Sequence, residues 1–132
     1  MSKVMVSQHF SLDELASRDD GSFRLEPGFI DALEILRNSY NHPMIVTSGC
    51  RTIEYNAKIG GHPRSLHMIK NPYWHTDTCA VDIKRPEGYL LHKLIHDATI
   101  LCWSIGIANT FVHLDRRTQF LNLQPVIYTY KK

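Results

Sequence analysis

Apolar residues in this chain fall into blocks whose spacing alternates between helical and extended periods. Ile30, Leu33 and Leu36, with Ala32 and Ile35 beside them, form a helical stripe from Pro27, a suitable first helical residue, to Arg37 or Ser39. Leu90, Leu91, Leu94, Ile95, Ala98, Leu101 and Cys102 mark a second long helix, begun near Glu87-Gly88. Ser11-Leu12-Asp13-Glu14 has the form of a capping box and opens a short helix from Leu12 to about Arg18, ended by Asp19-Asp20-Gly21. Thr52 is placed to cap another, from Ile53 to about Lys58.

The extended segments have period two. Met44 to Thr47 is a short β-branched run after the turn Asn41-His42-Pro43, and Cys79 to Lys84 sends Val81 and Ile83 to one face and Ala80 and Asp82 to the other. Ile105 to Ala108 and Phe111 to Asp115 read as a hairpin turning at Asn109-Thr110, and Val126 to Tyr130 as a final strand. From Gly60-Gly61-His62-Pro63 to Asp77 no period is visible. A long ordered loop of this kind inside a compact chain is usually functional. These elements predict an α+β fold, with a mainly antiparallel sheet packed against two longer helices, as one domain over residues 1–132.

Composition narrows the function classes. Hydrophobic residues make up 43% and charged residues 21%, which excludes a disordered or fibrous chain. A net charge of +2 is too small for a surface that tracks a phosphate backbone, so no nucleic-acid partner is expected. No stretch approaches the roughly 20 apolar residues of a membrane span, and Met1 to Phe10 hold no signal-peptide core. No membrane insertion and cytoplasmic synthesis are therefore expected. Cys50, Cys79 and Cys102 are odd in number and widely spaced, which argues against a disulfide framework or a zinc ribbon and for partly buried thiols in a reducing compartment.

Candidate chemistry lies among the histidines. His92 and His96 are four apart on the second long helix, a spacing that can bind metal, but beside a Leu-rich face a solvated helix edge accounts for them. Asp82 and His113 differ from these, because each alternates with apolar neighbours on its strand, Val81 and Ile83 for one, Val112 and Leu114 for the other. Both project from the same sheet face. A carboxylate and an imidazole on rigid strands supply two of the three protein ligands of a catalytic zinc site; equally, Asp82 alone pairs with Lys84, Arg85 or Arg116 on a wet face. Alternation alone leaves both readings open.

The order of motifs changes that balance. Phe10 to Glu14, Ser48-Gly49-Cys50-Arg51, Glu54-Tyr55-Asn56, Gly60-Gly61, Ser65-Leu66-His67, Ala80 to Ile83 and Phe111 to Asp115 together resemble the zinc D-Ala-D-Ala carboxypeptidase family with the Hedgehog/DD-peptidase fold, in its small single-domain bacterial or phage form. The resemblance implies Zn²⁺ held by His67, Asp82 and His113. His75 stands seven residues before Asp82, the spacing usual in the family, whereas His67 stands fifteen before it. Read from Gly-Gly and Ser-x-His, the ligand is His67, Met68 to Thr76 are an insertion, and His75 and Trp74 border the substrate groove. Tyr73 and Trp74 equally serve to anchor that insertion by packing.

Arg51 matches an arginine that binds the substrate's terminal carboxylate, for which a guanidinium offers a planar charged fork, although it is also placed to pair with Glu54. Ser65 is expected to hold the loop or a ligand by hydrogen bond. Asn109, Thr110, Phe111 and Val112 stand just before His113, where relatives carry an acidic residue or histidine, so the general base falls to Asp115, which alternatively orients a ligand imidazole, with Asp77 in reserve. The resemblance implies a monomeric peptidase of peptidoglycan stem peptides, cutting as a D,D-carboxypeptidase or an endopeptidase. It would reach the wall after release from the cytoplasm, as an endolysin does, or as part of a virion. The rival expectations are a non-catalytic zinc module that binds wall or protein, and a metal-free virion component.

Overall fold

The structure, a computed structural model, describes residues 3–130. In chain order it contains α1 (Leu12–Leu15), α2 (Phe29–Tyr40), β1 (Val46–Ser48), α3 (Ile53–Lys58), β2 (Ala80–Lys84), α4 (Tyr89–Ile100), β3 (Ser104–Ile107), β4 (Phe111–Asp115), α5 (Arg117–Leu121) and β5 (Ile127–Thr129). The fold is α+β, as the periodicities predict. One five-stranded sheet runs in the order β1-β2-β4-β3-β5, antiparallel except where β5 joins β3 in parallel.

One face of the sheet is covered by the two long helices. Val81, Ile83, Ile105, Val112 and Leu114 pack in a single cluster with Leu33 and Leu36 of α2 and Leu94 and Ala98 of α4, all essentially inaccessible to water. Each such side chain contributes about 1.5–3 kcal/mol by leaving water, which makes this layer the rigid base of the molecule. Lys93 ties the two helices by donating to the Ser39 carbonyl at 3.0 Å while pairing with Asp97. The opposite face is also buried, but by polar side chains and loops. That inversion of ordinary sheet polarity is what marks it as a site.

Several boundaries differ from the sequence reading, for local reasons. The capping box forms, with Ser11 and Glu14 each satisfying the other's backbone N–H. The helix nevertheless stops at Leu15, because Ser17 is drawn away to donate its N–H to the Ser22 carbonyl and to accept from Thr52. α2 starts two residues after Pro27, since Gly28 has φ +92°, outside the helical region. The short α5 has no apolar stripe to announce it, and starts where the Asp115 carboxylate accepts the Arg117 N–H. Cys50 and Cys79 are buried, but Cys102 is exposed at a left-handed turn after α4. Among the described residues no helix is long and apolar enough to cross a membrane.

Candidate metal centre

The site is a row of residues across four strands. Asp82 on β2 faces His113 on β4, His113 faces Gly106 on β3, and Gly106 faces Tyr128 on β5. Gly106 keeps the row flat. A Cβ there would lie 2.7–2.8 Å from atoms of the Tyr128 ring, so only glycine lets that ring cross β3 toward His113.

His67 enters from the long loop, which a single parallel bridge between Met68 and Arg51 holds in place. Arg51 donates its N–H to the His67 carbonyl at 2.9 Å, Ile69 donates to the Arg51 carbonyl, and the Thr78 hydroxyl also donates to the His67 carbonyl at 2.8 Å. Ser65 Oγ accepts the His67 N–H at 3.2 Å. Gly49 packs so tightly on the Leu15 backbone that a Cβ would come within 2.5 Å of the Leu15 carbonyl oxygen. This contact sets the Gly49 carbonyl where it receives His67 Nδ1 at 2.8 Å.

Three atoms then converge. His67 Nε2 lies 3.1 Å from Asp82 Oδ1 and 3.3 Å from His113 Nδ1, and His113 Nδ1 lies 3.0 Å from Asp82 Oδ1. The far nitrogen of each ring fixes its tautomer. His67 Nδ1 must donate, because a carbonyl only accepts; His113 Nε2 must donate, because it meets the Asp115 carboxylate at 2.8 Å. Both nitrogens that turn inward therefore present lone pairs beside a carboxylate oxygen. A tetrahedral ion with bonds of about 2.0–2.1 Å holds its ligand atoms about 3.3 Å apart, so this donor set fits zinc in kind, number and spacing.

Electrostatics agree with the donor set. Burial lowers the pKa of His67 and outweighs the pull of Asp82, favouring the neutral imidazole a metal requires. Burial alone would raise Asp82, yet the two imidazoles hold it well below the usual carboxylate range. For His113 burial opposes the charged form, but hydrogen bonds to Asp115 and Asp82 prevail and push it up to about 9.

Of the two roles left open for Asp115, general base or orienting group, its surroundings favour the second. It is completely buried and accepts four hydrogen bonds: from His113 Nε2 and from the backbone N–H, Nε and Nη2 of Arg117. Those bonds use all four acceptor positions of a carboxylate, and they lie on the side of the imidazole away from the convergent atoms. Asp115 orients the ring instead. Asp77 is no reserve, because it lies outside the cleft, bonded to Arg24 and to the Lys70 N–H. His75 does not border the groove either. A turn closed by Asn71 puts it at φ +58°, facing a separate depression with Arg24, Glu26 and Asp77.

Arg51, Ser65 and Trp74 lie around the convergent atoms in one cleft. A cleft of about 630 Å³ opens above them, lined by Arg51, Ser65, Trp74 and the three candidate ligands, and also by His62, Arg64, Tyr128 and Tyr130. Arg51 pairs with Asp82 Oδ2 at 3.3 Å and bonds to Ser48 and Asn56, not to Glu54. Gly61 makes room for this arrangement, since a Cβ would fall 2.1 Å from Asn56 Oδ1. Tyr128 and Tyr130 escaped the sequence reading. Their one visible signal is Gly106 inside a strand, which marks close approach by another group.

A sequence model described as Peptidase M15 matches residues 8–115, a span that starts before α1 and ends at Asp115. The chain belongs to the Peptidase M15 family. Peptidases of this family are zinc-dependent, and among the described residues His67, Asp82 and His113 form a cluster that could hold a metal ion. The M15 match ends where α5 begins, so Arg117, Tyr128 and Tyr130 lie beyond it although they complete the cleft. No curated protein and no solved structure matches this M15 peptidase significantly.

Proposed function

We propose that the protein hydrolyses peptide bonds in peptidoglycan stem peptides, as a D,D-carboxypeptidase or an endopeptidase, reaching the wall after release from the cytoplasm or on a virion. The observation that carries this reading is the convergence of His67 Nε2, Asp82 Oδ1 and His113 Nδ1 at the floor of an open cleft that also contains Arg51. Zinc bound by those three atoms would polarise a peptide carbonyl and lower the pKa of a water.

The protein's own residues supply the rest. Gly49 and Asp115 fix the two imidazoles, so the ligands are held before metal or substrate arrives. Arg51 uses three of its five N–H groups on Ser48, Asn56 and Asp82, which leaves capacity for a substrate carboxylate. Proton transfer falls to groups with a polar tip in the cleft: His62, whose Nδ1 accepts the Arg64 N–H, and the phenols of Tyr128 and Tyr130. The apolar wall at Trp74 and Phe111 keeps water from part of the groove.

A second reading is supported by the same cleft. Its lining carboxylates, Asp82 and Asp115, are both engaged, and a site without a free base suits a module that binds wall peptide without cutting it. Zinc-loaded protein incubated with purified wall separates the two. Catalysis releases D-alanine or new amino groups, whereas a binding module retains the wall unchanged. His113→Ala and Asp82→Ala are expected to abolish both zinc content and release, and His75→Ala to preserve both. Loss of zinc in His75→Ala, or its retention in the other two, contradicts the ligand assignment.

A further inference from the structure

The segment from Met68 to Thr76 is organised around one buried amide. Asn71 is 1% exposed and uses both ends of its side chain. Its Nδ2 donates to the carbonyls of Arg64 and Ser65 at 3.3 and 2.9 Å, and its Oδ1 accepts the N–H groups of Tyr73 and Trp74, both at 2.9 Å. This clamp fastens two stretches of the loop side by side. Trp74 enters the cleft wall, and the Tyr73 ring comes under the guanidinium of Arg64, 4.0 Å from its centre.

Charge gives that stack a purpose. Three guanidinium groups line the cleft. Arg51 is paired with Asp82 and Arg117 with Asp115, but among the described residues Arg64 has no carboxylate partner. Stacking covers a face of the guanidinium and limits its motion, yet leaves the in-plane N–H edge available for a planar anion. A cation held in this way loses less freedom on binding than a mobile surface lysine.

We propose that Arg64, positioned by Tyr73 and Asn71, is a specificity-determining residue that binds a second carboxylate of the peptide, distinct from the one read by Arg51. This rests on the reading of the cleft as a peptide site. The substrate class it selects is a peptide with an internal acidic group as well as an anionic terminus. An amidated version of the same peptide is disfavoured, because it offers no charge to the guanidinium.

The test uses the zinc-loaded full chain and two stem pentapeptides. One carries free carboxyls on its glutamate and diaminopimelate residues; the other has both amidated, with the C-terminal carboxylate intact in each. The wild type is expected to prefer the free-carboxyl peptide by about threefold to fivefold in kcat/KM, the scale of one ion pair at an exposed site, expressed in KM and shrinking with salt. Arg64→Gln should bring the ratio near one. Lys70→Gln, which removes a charge from the same loop outside the cleft, should keep it. A ratio near one in the wild type, or a ratio that survives Arg64→Gln, overturns the proposal. Should neither peptide be cut, calorimetry with the same pair reads the preference directly. A preference without turnover rejects hydrolysis and supports the role of Arg64, and no binding of either peptide rejects both.

Discussion

Asp115→Asn isolates the contribution of the group that orients His113. The carboxylate accepts from His113 Nε2 at 2.8 Å and from three N–H groups of Arg117 at 2.8–3.0 Å, in a position with no exposed surface. An amide of the same shape has one oxygen, so its NH₂ must face either His113 Nε2 and Arg117 Nη2, or the Arg117 backbone N–H and Nε, all of them donors. If it faces His113, the ring gains by flipping its tautomer, and Nδ1 then carries a hydrogen where the metal needs a lone pair. Loss of such a supporting acceptor typically weakens metal binding 10–100-fold, or about 1.4–2.7 kcal/mol. The metal-free fold suffers as well, because Arg117 loses a buried partner. A cost of about 3 kcal/mol corresponds to a fall of about 10 °C in Tm for a chain of this size. Competition with a chromophoric chelator at low temperature measures the zinc Kd on folded protein, and circular dichroism gives Tm. A zinc Kd within threefold of wild type, in a variant that remains folded, would refute the orienting role.

Two further outcomes follow from the same geometry. The folded pKa of His113 is raised to about 9, so its stabilising contribution is complete below about pH 6.5 and is lost as pH rises through 9; Asp82 and Asp115 are lowered, so theirs is present above about pH 4 and is lost in acid. The Tm of chelator-treated protein should therefore fall between pH 6.5 and 9.5, and added zinc should reverse the fall; a flat profile contradicts the linkage. Gly106→Ala should destabilise the protein by about 1–3 kcal/mol in urea titration, because its Cβ meets the Tyr128 ring, and Tyr128→Ala should make the substitution nearly neutral. An equal cost in both backgrounds would show that the contact is not the cause.

What the sequence disclosed follows the range of each physical signal. Alternation on β2 and β4 is a local, period-two property, and it placed Asp82 and His113 on one face without knowledge of how the strands pair. His67 sits in a loop without periodicity, so its assignment came through a resemblance and its position only through folding. There the Arg51–Met68 bridge and the Gly49 carbonyl bring it to the sheet. His75 has the spacing of a ligand and none of the geometry, because spacing in a loop says nothing about the direction of a turn closed by a buried asparagine. Asp115 was correctly placed on the strand face. What it does there depends on Arg117, which no pattern ties to it. Tyr128 reaches the site through a parallel pairing of β5 with β3, a contact between distant segments that alternation along either strand cannot reveal.

Everything proposed for the cleft requires His67, Asp82 and His113 to share one ion. An anomalous difference map collected at the zinc edge, from crystals of the zinc-loaded protein, tests it most directly. One strong peak is expected about 2.0–2.1 Å from His67 Nε2, an Asp82 oxygen and His113 Nδ1. A peak held instead by His75 or by the His92–His96 pair, or no peak between those three side chains at full zinc occupancy, would contradict it.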